Sequence, residues 1–527
     1  MARLKSGEFM RTVDLVIVVV YVLGCTALGR RLGARSSGLK GYFLGESNIP
    51  AWAVMLSIVA TETSTATFLS VPGVSYRGDF TYLQLAFGYV IGRLIVATVL
   101  LPAYFQRSIF TAYEVLDRRF GGATKTISSL MFLATRTLGD GLRLFLAAKV
   151  LEKLSGWGMP AAIAVVGITT IVYTYLGGMK AVIWIDVIQF CIYIAGAIFA
   201  LFVLTRSLPG GWGRLWQVGG AAGKFRVFDF SFDLTRSFTF WAGLIGGAAL
   251  NTATHGADQI MVQRYLSARS RRDAAGALIA SGFVVAAQFS LFLLIGVGLY
   301  VYYNDFPLDP RTGSTIVLAH DDEFVTFILH KLPAGVLGLV IAAIFSAAMG
   351  SLSSSLNASA SATVNNLYRP FRPATDEAKL LKISRGATIF WGAMQMGTAL
   401  GATRLKDHVV NNALSIAAFT TGIVLGLFLL GVTTKTVRQR DALLGLVIGL
   451  ATVSAVVFGT KLAWPWYALV GSTTVYAVGA ASRFIRGEPA EARSGIEADS
   501  RVEVASRVEV ASGIEAVPRV EPAGSSE

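Results

Sequence analysis

The chain has 527 residues, 46 Lys and Arg against 32 Asp and Glu, and a formal net charge of +14. Only 15% of its residues are charged and 54% are hydrophobic, and the mean hydropathy is +0.59. Soluble domains carry about 25% charged residues, so a soluble globular class is excluded. The basic residues punctuate apolar runs and form no compact stripe, which argues against nucleic acid as a partner.

Apolar windows predict thirteen membrane spans, near 12–29, 52–73, 81–104, 126–150, 159–176, 182–204, 238–256, 274–303, 334–364, 383–402, 408–432, 441–460 and 463–482. Each is near the length that crosses a bilayer. The first span is preceded by Arg3, Lys5 and Arg11 but has no small-x-small cleavage site, and it reads as a retained helix rather than a signal peptide. Cys25 and Cys191 both fall inside spans, as buried small side chains rather than a disulfide framework. The short basic loops "GRRLGARSSGLK", "QRYLSARSRRD" and "YRPFRPATDEAKLLKISR" all fall on one side of the membrane. The positive-inside rule then places the short N-terminus, 1–11, outside and the C-terminus in the cytoplasm. A transmembrane domain covers 12–485, and the polar near-repeats of 486–527 ("SRVEVASRVEVASGIEA") predict a disordered cytoplasmic tail.

Polar clusters inside membrane spans are expensive and are functional candidates by default. The second span holds "SIVATETSTATFLSVPG", in which Ser57, Thr61, Thr63, Ser64, Thr65 and Thr67 surround Glu62 and Pro72-Gly73 closes the stretch. Single hydroxyls back-bond to the preceding turn, but six with a carboxylate predict an unwound segment that exposes main-chain carbonyls. In "YTYLGGMKAVIWIDVIQ", Gly177-Gly178 predicts a tight turn, and Asp186 lies inside the following span, where it needs a cation, a proton or a donor cluster. Arg136, Asp140 and Arg143 recur at i, i+4, i+7 on the fourth span and either neutralise one another or bind a solute. Asn251, Thr254 and His255 lie in the seventh span, ahead of Asp258 and Gln259 in a loop. In the ninth span, Ala347, Gly350, Ser351 and Ser354 share one face, with Ser353 and Asn357 beside them. These small residues suit either close helix packing or a ladder of oxygens that replaces a cation's water shell.

In order and spacing, "GYFLGESNIPAWAVMLSIVATETSTATFLSVPG", "YTYLGGMKAVIWIDVIQ", "GADQIMVQRYLSARSRRDA" and "AAMGSLSSSLNASASATVNNLYRP" resemble the sodium/solute symporter family. The resemblance implies an all-α polytopic protein with a leucine-transporter-like core: a 5+5 inverted repeat, about 52–204 and 238–432, with a broken first helix in each half. It implies a sodium-coupled importer of a small organic solute working by alternating access, with Na+ as the coupling ion and no enzyme activity. By the same resemblance, a common sodium site would use the backbone carbonyls of Ala60 and Thr63, facing Ala347, Gly350 and Ser351. Family members usually carry a hydroxyl residue where this chain has Gly350, so Glu62 or water is a candidate replacement. A second sodium site would map to Asp186, Ser353 and Ser354, and the solute to Thr65, Thr67, Asn251, Thr254, His255 and Arg136. The sugar-binding Glu-Gln pair is replaced by Ala66-Thr67, and the arginine that grips sialic acid aligns with Gly139; an organic anion stays open through Arg136 and Arg143. Lipid is the one partner besides solute and sodium. The rival readings are a proton-coupled or uncoupled carrier of the same fold and, in a different class, a membrane-embedded sensor or channel.

Overall fold

Ser64 decides the shape of the second span. Its hydroxyl accepts a hydrogen bond from Thr67 N (3.3 Å), which caps a new helix and ends the old one at Glu62. In the computed structural model, which describes residues 11–33, 38–106, 109–307, 323–405 and 407–485, helix α1 runs Thr12–Gly33, α2 Ala51–Glu62 and α3 Thr65–Arg77. Ala51–Glu62 and Thr67–Arg77 bend by 64° across extended Thr63 and Ser64. The expected unwound segment is therefore present, but Pro72-Gly73 does not close it. Helix α3 continues to Arg77, because a proline inside a packed membrane helix is tolerated where neighbours re-satisfy the backbone. The Pro72 carbonyl accepts from the Ser75 hydroxyl.

Next come α4 Phe80–Phe105, α5 Gly122–Ser155 and α6 Met159–Arg206. Helix α6 is two spans joined at Gly178, whose φ of 56° is the predicted turn. A Cβ there would also lie 2.5 Å from the Tyr42 carbonyl oxygen. The seventh span is broken like the second: α7 Gly247–Gly256 stops, Asp258 accepts from Ile260 N (2.9 Å), and α8 Gln259–Ser267 follows. Gln259 thus opens a helix rather than sitting in a loop. The basic run after it begins inside the protein, with Gln263 and Arg264 fully buried. Helices α9 Arg271–Asp305, α10 Val336–Tyr368, α11 Glu377–Ala402, α12 Asp407–Thr433, α13 Gln439–Gly459 and α14 Tyr467–Ile485 complete the chain. The 486–527 tail lies outside the described residues.

Among the described residues six helices are each long and apolar enough to cross a membrane, and the bent α2–α3 pair makes a seventh. Helix α5 is less apolar, because it carries Lys125, Arg136, Asp140, Arg143, Lys149, Glu152 and Lys153 along its length. No strand occurs among these residues; the Ile49–Ala268 bridge, with Ile49 N donating to Ser267 O (3.0 Å), ties the entry to α2 to the end of α8. Burial orders the helices. In α10, 83% of the most apolar stretch is buried, against 28% in α1 and in α13. The hydroxyl-bearing α10 is therefore the central post, and α1 and α13 face outward. Asp14 of α1 anchors that post: its Oδ1 accepts from Gly335 N and Gly338 N, both 2.7 Å, at the start of α10. These are donors that a helix N-terminus cannot satisfy itself.

Candidate functional site

The break after α2 faces α10. The Ser351 hydroxyl donates to the Thr61 carbonyl (3.2 Å) and contacts the Ala347 carbonyl (3.4 Å) one turn back. At Gly350 an added Cβ would lie 2.8 Å from Gln189 Oε1, 3.6 Å from Ala60 O and 3.6 Å from Asp186 Oδ1. Three oxygens from α2 and α6 thus converge on the place where a hydroxyl side chain is missing. Gln189 Oε1 and Asp186 Oδ1 are buried and accept no hydrogen bond. Unpaired buried acceptors are costly, and a small cation relieves that cost. This donor set fits sodium, which prefers oxygen ligands. Ala60, Ala347, Gly350 and Ser351 are brought together as expected. Thr63 is expected to act through its backbone carbonyl; its hydroxyl is occupied separately, donating to Val59 O (2.9 Å) and accepting from Gln288 (2.8 Å) and Tyr193 (3.4 Å).

Glu62 is engaged elsewhere. Its carboxylate accepts from Arg93 Nη2 (2.5 Å) and lies 3.7 Å from His255 Nε2, so it is the counter-ion of a fully buried arginine. The side-chain oxygen found beside Gly350 is that of Gln189, while the Glu62 carboxylate is held at Arg93. Asp186 and Ser354 also meet, around a cation that belongs to the chain. Arg264 Nη2 donates to Asp186 Oδ2 (2.8 Å) and to Ser354 Oγ, and Arg264 Nε donates to Ser57 Oγ (2.8 Å). Ser57 donates in turn to Asp186 (2.6 Å), and the Ser353 and Ser354 hydroxyls both bond the Gly350 carbonyl (3.1 and 2.7 Å).

A cavity of about 230 Å³ opens beside the break, lined by Glu62, Thr67, Asn251, Thr254, His255 and Arg136, with Ser351 and Arg143. Five of the six expected solute residues are on its wall. Thr65 is not: its hydroxyl donates to Ile344 O (3.2 Å), and it lines a smaller space with Ala347 and Ser351. Asn251 Oδ1 is buried and accepts nothing, and the Thr254 hydroxyl meets His255 Nδ1 at 3.1 Å. Arg136 pairs with Asp258 and, at 3.7 Å, with Asp140, which also holds Arg143 at 2.6 Å. Arg93, Arg136 and Arg143 are matched by Glu62, Asp140 and Asp258. The wall's own charges therefore cancel.

Arg93, Gln189 and Arg264 escape the sequence reading. Arg93 leaves a signal, a charge in the middle of an apolar span. Gln189 shares a helix face with Asp186, three residues on, but a neutral amide in an apolar span stands out less than the carboxylate does. Arg264 reads as one more loop cation because three further arginines follow it.

Comparison with known proteins identifies the family of the chain. The sodium:solute symporter family pattern matches residues 42–449. The rabbit (Oryctolagus cuniculus) sodium-dependent multivitamin transporter is 30% identical over 445 residues, 83% of this chain and 69% of that protein. The sodium/sialic acid symporter SiaT of Proteus mirabilis is 27% identical over 486 residues, 89% of this chain and 94% of that protein. A solved substrate-bound, outward-open state of a Na+-coupled sialic acid symporter superposes with a TM-score of 0.83 at 26% identity, covering 90% of this chain and 98% of that one. Mhp1, a nucleobase-cation-symport-1 transporter, shares the fold alone, with a TM-score of 0.55 at 13% identity. The chain belongs to the sodium:solute symporter family: it is a multi-pass membrane protein that moves a small solute coupled to Na+, and not an enzyme.

Proposed function

We propose that sodium binds where Ala60 O, Gln189 Oε1 and Asp186 Oδ1 converge on Gly350, with Ser351 at the edge. The observation that carries this assignment is the pair of buried, unaccepted oxygens on Gln189 and Asp186. Sodium there bridges the broken α2–α3 pair to α10 and stabilises the conformation in which the solute cavity is formed. By linkage, bound solute then tightens sodium to the same degree. The cavity wall is charge-balanced, so the bound ion leaves one uncompensated positive charge, which favours a solute carrying one negative charge. The Proteus mirabilis relative is named for sialic acid, an acid. A small organic monoanion is thus the solute class best supported, with Arg143, Asn251 and His255 as its contacts.

One sodium ion per cycle is the simpler stoichiometry, because Arg264 supplies the positive charge that a second ion at Asp186, Ser353 and Ser354 would otherwise bring. The thirteen-span count, the 5+5 repeat, the 12–485 domain and the outside N-terminus with cytoplasmic C-terminus belong to the same reading. The matching breaks in α2–α3 and α7–α8, at the starts of the two halves, support it. Import follows, because sodium enters down its gradient with about 2.3 kcal/mol per charge per 100 mV of membrane potential. The test is a thermal-shift screen of purified protein against carboxylates, sugars, amino acids and nucleosides, with and without sodium. Stabilisation by a carboxylate only when sodium is present supports the assignment; a sodium-dependent shift with an uncharged sugar alone overturns the anion reading.

A further inference from the structure

Between α1 and the second half of α6 runs a groove of about 550 Å³, lined by Val16, Val20, Tyr21, Gly24, Cys25 and Ile188. Its lips, Val16, Val20 and Ile188, are exposed, and so are Leu23 on α1 and Phe199 and Phe202 on α6. Those are the apolar outer faces of two membrane spans, so the groove is continuous with the lipid-facing surface. Water has almost no polar partner in it, and an empty space would forfeit the contacts of its lining atoms. Hydrocarbon is what fills such a space in a bilayer. Gly24 keeps it open, since a Cβ there would meet nothing within 4 Å.

The floor of the groove reaches the ion site. Gln189 Nε2 donates to the Tyr21 hydroxyl (3.2 Å), and that hydroxyl contacts the Met349 sulfur (3.9 Å) beside Gly350. An amide whose nitrogen is tied to Tyr21 must direct its oxygen the other way, and Gln189 Oε1 is the atom found facing Gly350. A chain packed against Tyr21 holds that geometry from behind. We propose that the groove binds one lipid acyl chain, and that its occupancy tunes sodium affinity through Tyr21 and Gln189. The tuning rests on the sodium site proposed above; the lipid site itself does not.

The experiment compares wild type, Gly24→Trp, which fills the groove, and Val13→Trp, which adds the same bulk to an exposed position outside it. Native mass spectrometry of the purified proteins reads retained phospholipid, and a sodium titration in phospholipid nanodiscs reads the half-saturating concentration. The expected result is one phospholipid adduct on wild type and Val13→Trp, its loss from Gly24→Trp, and a change of about fivefold in half-saturating sodium for Gly24→Trp alone. Equal adducts on all three proteins overturn the lipid site. Loss of a second copy of the chain in place of a lipid also overturns it, by making the groove a dimer contact. Adduct loss with an unchanged sodium titration overturns the tuning. If no variant responds to sodium at all, the ion site is what fails, and the adduct comparison still decides the groove.

Discussion

Arg264 and Asp186 form an ion pair in which both side chains are buried, at 2.8 Å, across 78 residues of sequence. Separating two such charges costs more than their contact gives, because each lone partner stays out of water. Asp186→Asn alone is expected to destabilise the protein by about 3–5 kcal/mol. The double change Asp186→Asn with Arg264→Gln is expected to recover much of that loss. Thermal unfolding of the three proteins in one detergent checks it, and a single variant as stable as wild type would refute the pairing. The Hill coefficient for sodium is expected near one throughout.

Gln189→Ala is expected to raise the half-saturating sodium concentration about tenfold, the cost of one lost charge-assisted oxygen contact. Gly350→Ser brings a Cβ to 2.8 Å from Gln189 Oε1, the far end of a flexible side chain. In wild type the new hydroxyl therefore competes with Gln189 and changes affinity little. In the Gln189→Ala background it replaces the lost oxygen. Sodium-dependent uptake of the four proteins gives a double-mutant cycle, and purely additive effects would show that the two positions do not share an ion.

Thr67→Ala and His255→Ala are expected to raise the half-saturating solute concentration about tenfold, since each removes a cavity polar group. Their effect on sodium should be smaller and arise through linkage. Glu62→Gln is a different case, because it leaves Arg93 buried without its counter-ion and should lower the melting temperature as well as uptake. Parallel solute titrations and melting curves separate the two behaviours. A Glu62→Gln protein with normal stability and only a sodium defect would restore the direct ion role for this carboxylate.

Asp14→Ala removes the acceptor of two backbone donors at the head of α10 and is expected to cost about 1–2 kcal/mol. Asp14→Asn retains an acceptor and should cost less. Hydrogen exchange at Gly335 and Gly338 should rise in the alanine variant. Unchanged exchange there would mean that α10 needs no cap from α1.

Local chemistry carries much of this architecture. The hydroxyl crowding around Glu62 announces the break at Thr63 and Ser64, and Gly177-Gly178 announces the turn in α6. Both are events in which one short stretch of chain fixes its own backbone. Burial and pairing are not local. Nothing near Arg264 distinguishes it from the exposed arginines that follow, because its partner lies in α6 and its second contact in α10. Glu62 misleads for the same reason: a lone carboxylate among hydroxyls reads as an ion ligand until Arg93, on α4, is seen to claim it. Thr65 and Thr67 look equivalent in sequence, yet the start of α3 turns one towards Ile344 and the other towards the cavity.

The bridge between Ile49 and Ala268 is a single rung of backbone pairing, and it joins the two discontinuous spans outside their side chains. A rivet at that place makes the pair behave like the blades of a pair of scissors. One such hydrogen bond is worth about 0.5–1.5 kcal/mol, so it biases the two inner segments to move together without locking them. That bias is carried by the main chain, so substitutions in the cavity leave it in place.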